Sequence, residues 1–86
     1  MPEISRFLGI IIRMYWNEHN PPHFHAEYSE YEIEIDIQNL GILSGYFPPR
    51  LLGIVIEWAE LHQKDLLKNW ELMRSSGRCD KIEPLV

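Results

Sequence analysis

Apolar and polar residues alternate without exception over residues 31–38, which is typical of a strand with one face on a core and one face on polar surroundings. The same period of two covers residues 10–16 and 23–28, and a shorter apolar stretch covers residues 42–46. A proline loop at 17–22, a tight turn at Ser29 and Glu30 and a hairpin turn at 39–41 separate these stretches, with Gly41 available for a positive φ angle. The pattern predicts a four-stranded antiparallel meander.

After Pro48 the period becomes helical, and proline at the start of a helix costs no hydrogen bond. One stripe then carries the apolar positions and one histidine: Leu51, Val55, Trp58, Ala59, His62, Leu66, Trp70 and Met73. The pattern runs for about 26 residues against an average of ~11–12 for a helix, so it predicts either one long helix or a helix broken near residues 62–65. The expected fold is α+β, a single domain over residues 1–86. Its strands lie within 7–47, its helical segment covers one sheet face at about 49–75, and an extended tail occupies 78–86.

Composition narrows the classes of function. Eight Lys and Arg against thirteen Asp and Glu give a formal net charge of −5, which disfavours nucleic acid as a partner. Cys79 is the only cysteine and predicts a free thiol in a reducing compartment. The apolar run at residues 7–12 is too short to span a bilayer. We therefore expect a cytoplasmic protein with no membrane partner.

Chemically capable side chains are concentrated in residues 19–27, which hold three of the four histidines. Alternation puts the apolar residues of this strand on the core, so its imidazoles face solvent, a cleft or a partner. A tight turn at Ser29 and Glu30 sets the cross-strand register. It pairs His23 with Asp36, His25 with Glu34, and Glu27 with Glu32. With a one-residue bulge or shift at the proline loop, Arg13 and Tyr15 join the same outer face.

Several interpretations of this face remain open. It could be a solvated sheet face, in which a histidine opposite a carboxylate is an ordinary polar pair. It could hold zinc or nickel through His19, His23, His25 and Glu27, with Glu34 or Asp36 orienting an imidazole. It could perform acid–base chemistry as a hydrolase or ribonuclease, because histidine titrates near neutral pH; the candidate residues are His23, His25, Tyr15 and Arg13. It could also contact a protein. His62, on the helical stripe, is expected to be a core histidine.

Four sets of residues together resemble a known family: residues 1–10; residues 14–15 with His19 and the sequence Pro-His-Phe-His-Ala-Glu-Tyr at 22–28; the helix residues 57–62 with Asn69 and Trp70; and the closing residues 81–85. They are similar to the bacterial family catalogued as domain of unknown function 4160. The resemblance runs nearly end to end and departs at Ser29, where the family favours glycine. It implies a small gene in a compact operon, in some cases within a toxin–antitoxin-like pair.

The function we expect from the sequence is that of a small cytoplasmic partner-binding protein, one component of a toxin–antitoxin-like two-gene module. Its histidine and carboxylate face would be the contact or ligand surface. The partner would be a protein encoded nearby or a second copy of the chain. The alternative is a metal-binding protein or a histidine-dependent hydrolase, and the sequence names neither substrate nor reaction.

Overall fold

A computed structural model describes residues 3–86 as an α+β fold, a five-stranded antiparallel sheet with two helices. The strands follow one another in the sheet in chain order, so the sheet is a simple meander. Their bounds are β1 (Glu3–Phe7), β2 (Ile10–Arg13), β3 (His23–Tyr28), β4 (Tyr31–Asp36) and β5 (Ile42–Tyr46). The helices α1 (Pro49–Leu61) and α2 (Gln63–Ser76) follow.

The predicted count of four strands is wrong, because β1 precedes the first strand expected from the sequence. A two-residue turn joins β1 to β2, and both of its residues, Leu8 and Gly9, have positive φ angles of 53° and 81°. Two positive φ angles are the requirement of a type I′ hairpin turn, which glycine satisfies without steric cost. The available signal was therefore Gly9, which lies between the short segment of residues 3–7 and the apolar residues 10–12. The resemblance motif also includes Met1 and Pro2, which lie outside the described residues.

The predicted pairing of β3 with β4 is confirmed at every position. His23 lies opposite Asp36, His25 opposite Glu34, and Tyr28 opposite Tyr31. The tight turn that sets this register places Ser29 at a φ angle of 52°, a conformation that glycine adopts more easily. The departure from the family pattern at this position therefore does not lengthen the turn.

In the turn between β4 and β5, the positive φ angle is not on the residue predicted from the sequence. Leu40, at 60°, has that angle, and Gly41 does not. The Asp36 side chain organises the turn, because its Oδ1 accepts hydrogen bonds from the backbone N–H groups of Gln38 at 2.7 Å and Asn39 at 3.1 Å. The Asn39 side chain in turn accepts from the Gly41 N–H at 2.7 Å. Side-chain capping of this kind stabilises a turn without a glycine at the left-handed position.

The helical segment is two helices, so one continuous helix is wrong and the break expected near residues 62–65 is present. His62 has a φ angle of −125°, outside the helical range, and its N–H donates to the Ala59 carbonyl three residues earlier. Gln63 begins α2 and anchors it to the sheet end, because its Nε2 donates to the Ile37 carbonyl at 2.8 Å. Gly77, at a φ angle of 72°, ends α2 in the left-handed conformation that favours glycine.

The core lies between the apolar sheet face and the helices. Trp58 of α1 is fully buried and packs against Phe7 and Phe24, with ring centroids 5.5 and 6.0 Å apart. Trp70 of α2 is also buried, but its nearest described ring neighbour is His23, at 5.2 Å. The two tryptophans therefore have different ring neighbours, Phe7 and Phe24 for Trp58 and His23 for Trp70. After α2, Ile82 is buried in the tail. Within residues 3–86, none of the helices combines the length and hydropathy needed to cross a membrane.

Candidate metal centre

The sheet face that carries His23 and His25 is covered by other parts of the chain. The interpretation of this face as solvated is therefore wrong for the two imidazoles. His23 and His25 are only 6% and 7% exposed. The connection between β2 and β3 places the Tyr15 ring edge-on to His25, with centroids 4.5 Å apart. Trp70 packs against His23 from α2. Alternation predicted the face on which the imidazoles lie. Their burial results from the β2–β3 connection and from α2, which cover that face.

The orientation of His23 is fixed by the backbone. Its Nδ1 lies 2.8 Å from the carbonyl oxygen of Pro21, which can only accept a hydrogen bond, so Nδ1 carries a proton. In the neutral ring the lone pair is then on Nε2. That nitrogen is buried without a hydrogen-bond partner and lies 3.4 Å from Oε1 of Glu18. A lone pair facing a carboxylate oxygen is unfavourable unless a proton or a cation lies between them.

His25 points its Nε2 at the same oxygen of Glu18, at 2.5 Å. One oxygen therefore receives two imidazole nitrogens, and the three ligand atoms all lie within 4.8 Å of one another. Atoms bound to one zinc ion at ~2.0–2.1 Å in tetrahedral geometry are about 3.3 Å apart, close to the His23–Glu18 separation. The shorter His25–Glu18 contact is a hydrogen bond, which a metal would replace. These three residues can supply three ligands to a divalent transition metal.

The two residues expected to orient the imidazoles have different positions. Oε1 of Glu34 lies 3.8 Å from Nε2 of His23, so Glu34 is beside the ligand atom rather than behind the ring. Asp36 is opposite His23 in register, but its described hydrogen bonds go to the turn at residues 38–39. The groups behind the rings are the Pro21 carbonyl, for His23, and Glu32, whose carboxylate is 3.6 Å from Nδ1 of His25. A metal-bound histidine ordinarily has a hydrogen-bond partner on its other nitrogen. His23 has one in the Pro21 carbonyl, whereas Nδ1 of His25 is buried without a hydrogen bond.

The remaining candidate residues lie outside the three-ligand cluster. His19 is exposed on the loop. Glu27 accepts hydrogen bonds from Arg13 Nε and Tyr15 Oη, each at 3.2 Å. Arg13 and Tyr15 do share the outer face, with Arg13 opposite His25 in register, as expected from the sequence. The bulge or shift that was expected at the proline loop does not occur in the β2–β3 pairing, which runs in step from Ile11 to Arg13.

The electrostatics of the face favour a cation. Glu18, Glu32 and Glu34 lie within 4 Å of an imidazole nitrogen, and the positive charge of Arg13 is engaged by Glu27. Burial, followed by the charge of Glu27, raises the pKa of the Tyr15 phenol, so this hydroxyl stays protonated and donates to Glu27. A phosphodiester would meet the carboxylates first, which disfavours the ribonuclease interpretation.

Glu18 is the member of the cluster that sequence reasoning missed. It lies in the irregular connection between β2 and β3, where no period assigns a side chain to a face. The available signal was chemical: an acidic residue within a loop that must return the chain to His23. Loop conformation, rather than strand alternation, brings it over both histidines.

These observations define the class of protein, an α+β domain with a histidine–carboxylate cluster on the outer face of a five-stranded meander. The chain belongs to the family described as domain of unknown function (DUF4160), whose model matches residues 9–71. The matched range contains all three residues of the cluster. No curated protein and no solved structure matches the chain.

Proposed function

We propose that the protein binds a divalent transition metal, zinc or nickel, through Nε2 of His23, Nε2 of His25 and a carboxylate oxygen of Glu18. The observation that carries the proposal is the buried Nε2 of His23, which has no hydrogen-bond partner and faces Glu18 at 3.4 Å. Neutral imidazole and carboxylate are ligands that zinc and nickel accept. The neighbouring carboxylates Glu32 and Glu34 add attraction for a cation.

Calorimetric titration of the metal-free protein with zinc, and separately with nickel, tests the proposal. We expect one equivalent to bind and the melting temperature to rise, because a ligand that binds only the native state stabilises it by about 2.7 kcal/mol at 100 times its Kd. A chelator should return the melting temperature to its starting value. Binding should weaken at acidic pH, because protons compete with the metal for imidazole nitrogen.

Matched variants distinguish this site from the one predicted by sequence. Glu18→Gln and His25→Gln should each lower metal affinity at least about 100-fold, since even the loss of a group that only orients a ligand costs 10–100-fold. His19→Gln and Glu30→Gln change the same residue types at exposed positions outside the cluster and should leave affinity within about threefold. Equal affinities in the two pairs, or identical melting curves with metal and with chelator, would remove the proposal.

Three protein ligands leave one position of a tetrahedral zinc ion for water or a substrate, as in catalytic rather than structural zinc sites. A metal-dependent hydrolase is therefore compatible with the proposal, and its substrate would be neutral or cationic because of the surrounding carboxylates. Partner binding within a toxin–antitoxin-like module stays a prediction from the sequence. The exposed strand β5 suits that role better than the histidine face, whose imidazoles are buried.

A further inference from the structure

The two edges of the sheet differ in how they are protected. At the β1 edge the carboxyl-terminal tail lies beside the strand, and the Ile82 N–H donates to the Ile4 carbonyl at 2.8 Å. An ion pair between Arg6 and Glu3, at 2.8 Å, adds charge to the same strand. Proteins commonly prevent edge-to-edge association with coverage and charge of this kind. The β1 edge is therefore unsuited to pairing with another chain.

The β5 edge has neither form of protection. All five of its residues, Ile-Leu-Ser-Gly-Tyr, are exposed, and the strand contains no charged residue and no proline. Three of them are large apolar or aromatic side chains with 53%, 43% and 59% of their surface exposed: Ile42, Leu43 and Tyr46. Apart from the pairing with β4, the described part of the chain shows no backbone hydrogen bond from residues 42–46. An uncharged, apolar edge strand is a template for strand addition.

We infer that β5 pairs with β5 of a second copy of this chain and joins the two sheets into one. Pairing of β5 with the β1 edge of another copy is obstructed by the tail, so the two-fold arrangement is the one that the edges permit. Such an arrangement closes after two copies, and two-fold dimers are the most common symmetric oligomers.

The charge distribution is compatible with self-association despite the net charge of −5. The strand itself is neutral, so the pairing brings no like charges into direct opposition. The nearest carboxylates in the sheet, Glu32 and Glu34 on β4, would lie about three strand spacings, or about 14 Å, from their symmetry mates. That distance exceeds the Debye length of about 8 Å at physiological ionic strength, so their repulsion is largely screened.

The expected dimer is weak. The strand has five residues, and its pairing with β4 shifts register between Glu34 and Ile35, which limits the regular part of the edge. A contact of this size lies at the low end of specific interfaces. We expect a Kd on the order of 10 μM, so that a change in protein concentration shifts the population between monomer and dimer.

Sedimentation analysis of the full chain from about 1 μM to about 500 μM, with chelator present to exclude metal-bridged association, tests this inference. The wild type should pass from monomer to dimer. Leu43→Lys and Tyr46→Lys should each remain monomeric throughout, because a charge on an edge strand opposes pairing. Leu61→Lys is the matched control: Leu61 is 68% exposed at the end of α1, and the variant should dimerise like the wild type.

A second measurement locates the interface. Amide hydrogen exchange at residues 42–46 should slow as the wild-type concentration rises and should not change in Leu43→Lys, whose circular dichroism spectrum verifies that it is folded. A wild type that is monomeric at the highest concentration overturns the inference, as does a dimer that both lysine variants still form. If the chain is monomeric and binds a different, basic protein through β5, the edge belongs to that partner, and the inference of a β5–β5 dimer is also overturned.

Discussion

At the scale of single residues, burial rather than face assignment determines what the histidines do. His23 has its Nδ1–H on the Pro21 carbonyl and its ring against Trp70, so it contributes to the folded state as well as to the cluster. His19, four positions earlier, is exposed. Two histidines of the same short segment therefore have different roles, and the difference can be measured without metal.

We predict that His23→Ala, studied with chelator present, lowers the free energy of unfolding by about 2–3 kcal/mol. The loss combines a buried hydrogen bond, whose carbonyl acceptor would lose its partner, with lost packing against Trp70. His19→Ala should change the free energy by less than about 0.5 kcal/mol, as exposed substitutions do. Urea unfolding followed by circular dichroism measures both values. Equal small effects would show that the imidazole of His23 is accessible to water in solution.

At the scale of elements, the sequence predicted the presence and register of the alternating strands better than it predicted where each strand ends. β3 and β5 have their expected bounds, whereas β4 ends at Asp36 rather than at residue 38 and β2 ends at Arg13 rather than at residue 16. The register of β3 with β4 is correct at every pair, because a two-residue turn permits only that alignment. β1 was not predicted because five residues are too few to show a period of two. The site was predicted in part: His23 and His25 follow from alternation, whereas Glu18 depends on a loop path that no local pattern specifies.

Glycine substitutions distinguish a strand that requires glycine from a helix that tolerates it. Gly45 of β5 has a φ angle of 87°, and a Cβ atom there would lie 2.2 Å from the Glu32 carbonyl oxygen. Gly53 of α1 has no neighbouring atom within 4 Å of that position. We predict that Gly45→Ala destabilises the protein by about 2–4 kcal/mol, whereas Gly53→Ala stabilises it by about 0.5–1 kcal/mol. Thermal melts of the two variants should shift in opposite directions, and a harmless Gly45→Ala would mean that β5 can leave β4.

At the scale of the whole molecule, the tail connects parts that are distant in sequence. Trp58 Nε1 donates to the Glu83 carbonyl at 2.8 Å, and the Asn69 side chain exchanges two hydrogen bonds of 2.9 Å with the backbone of Asp80. Together with the contact between Ile82 and Ile4, these bonds tie both helices and β1 to one irregular segment. The tail therefore acts as a structural element although it contains neither helix nor strand.

We predict that removing residues 82–86 destabilises the domain by about 3–5 kcal/mol. The deletion removes the buried Ile82 side chain and leaves the buried indole N–H of Trp58 without its acceptor. A loss of this size is a large part of the ~5–15 kcal/mol typical of a folded domain. Removing Val86 alone, which is 77% exposed, should have no measurable effect and serves as the control.

The same deletion should change how the molecules associate. Without the tail the Ile4 carbonyl and the rest of the β1 edge become available, and β5 of one copy can then pair with β1 of the next. Head-to-tail pairing of this kind does not close, so it produces open polymers rather than dimers. Light scattering should therefore increase with concentration for the truncated chain and not for the chain that lacks only Val86. Adding Leu43→Lys to the truncated chain should suppress the scattering, since it blocks the other edge of the same contact. Scattering that persists in this double variant would instead indicate nonspecific aggregation of a partly unfolded domain.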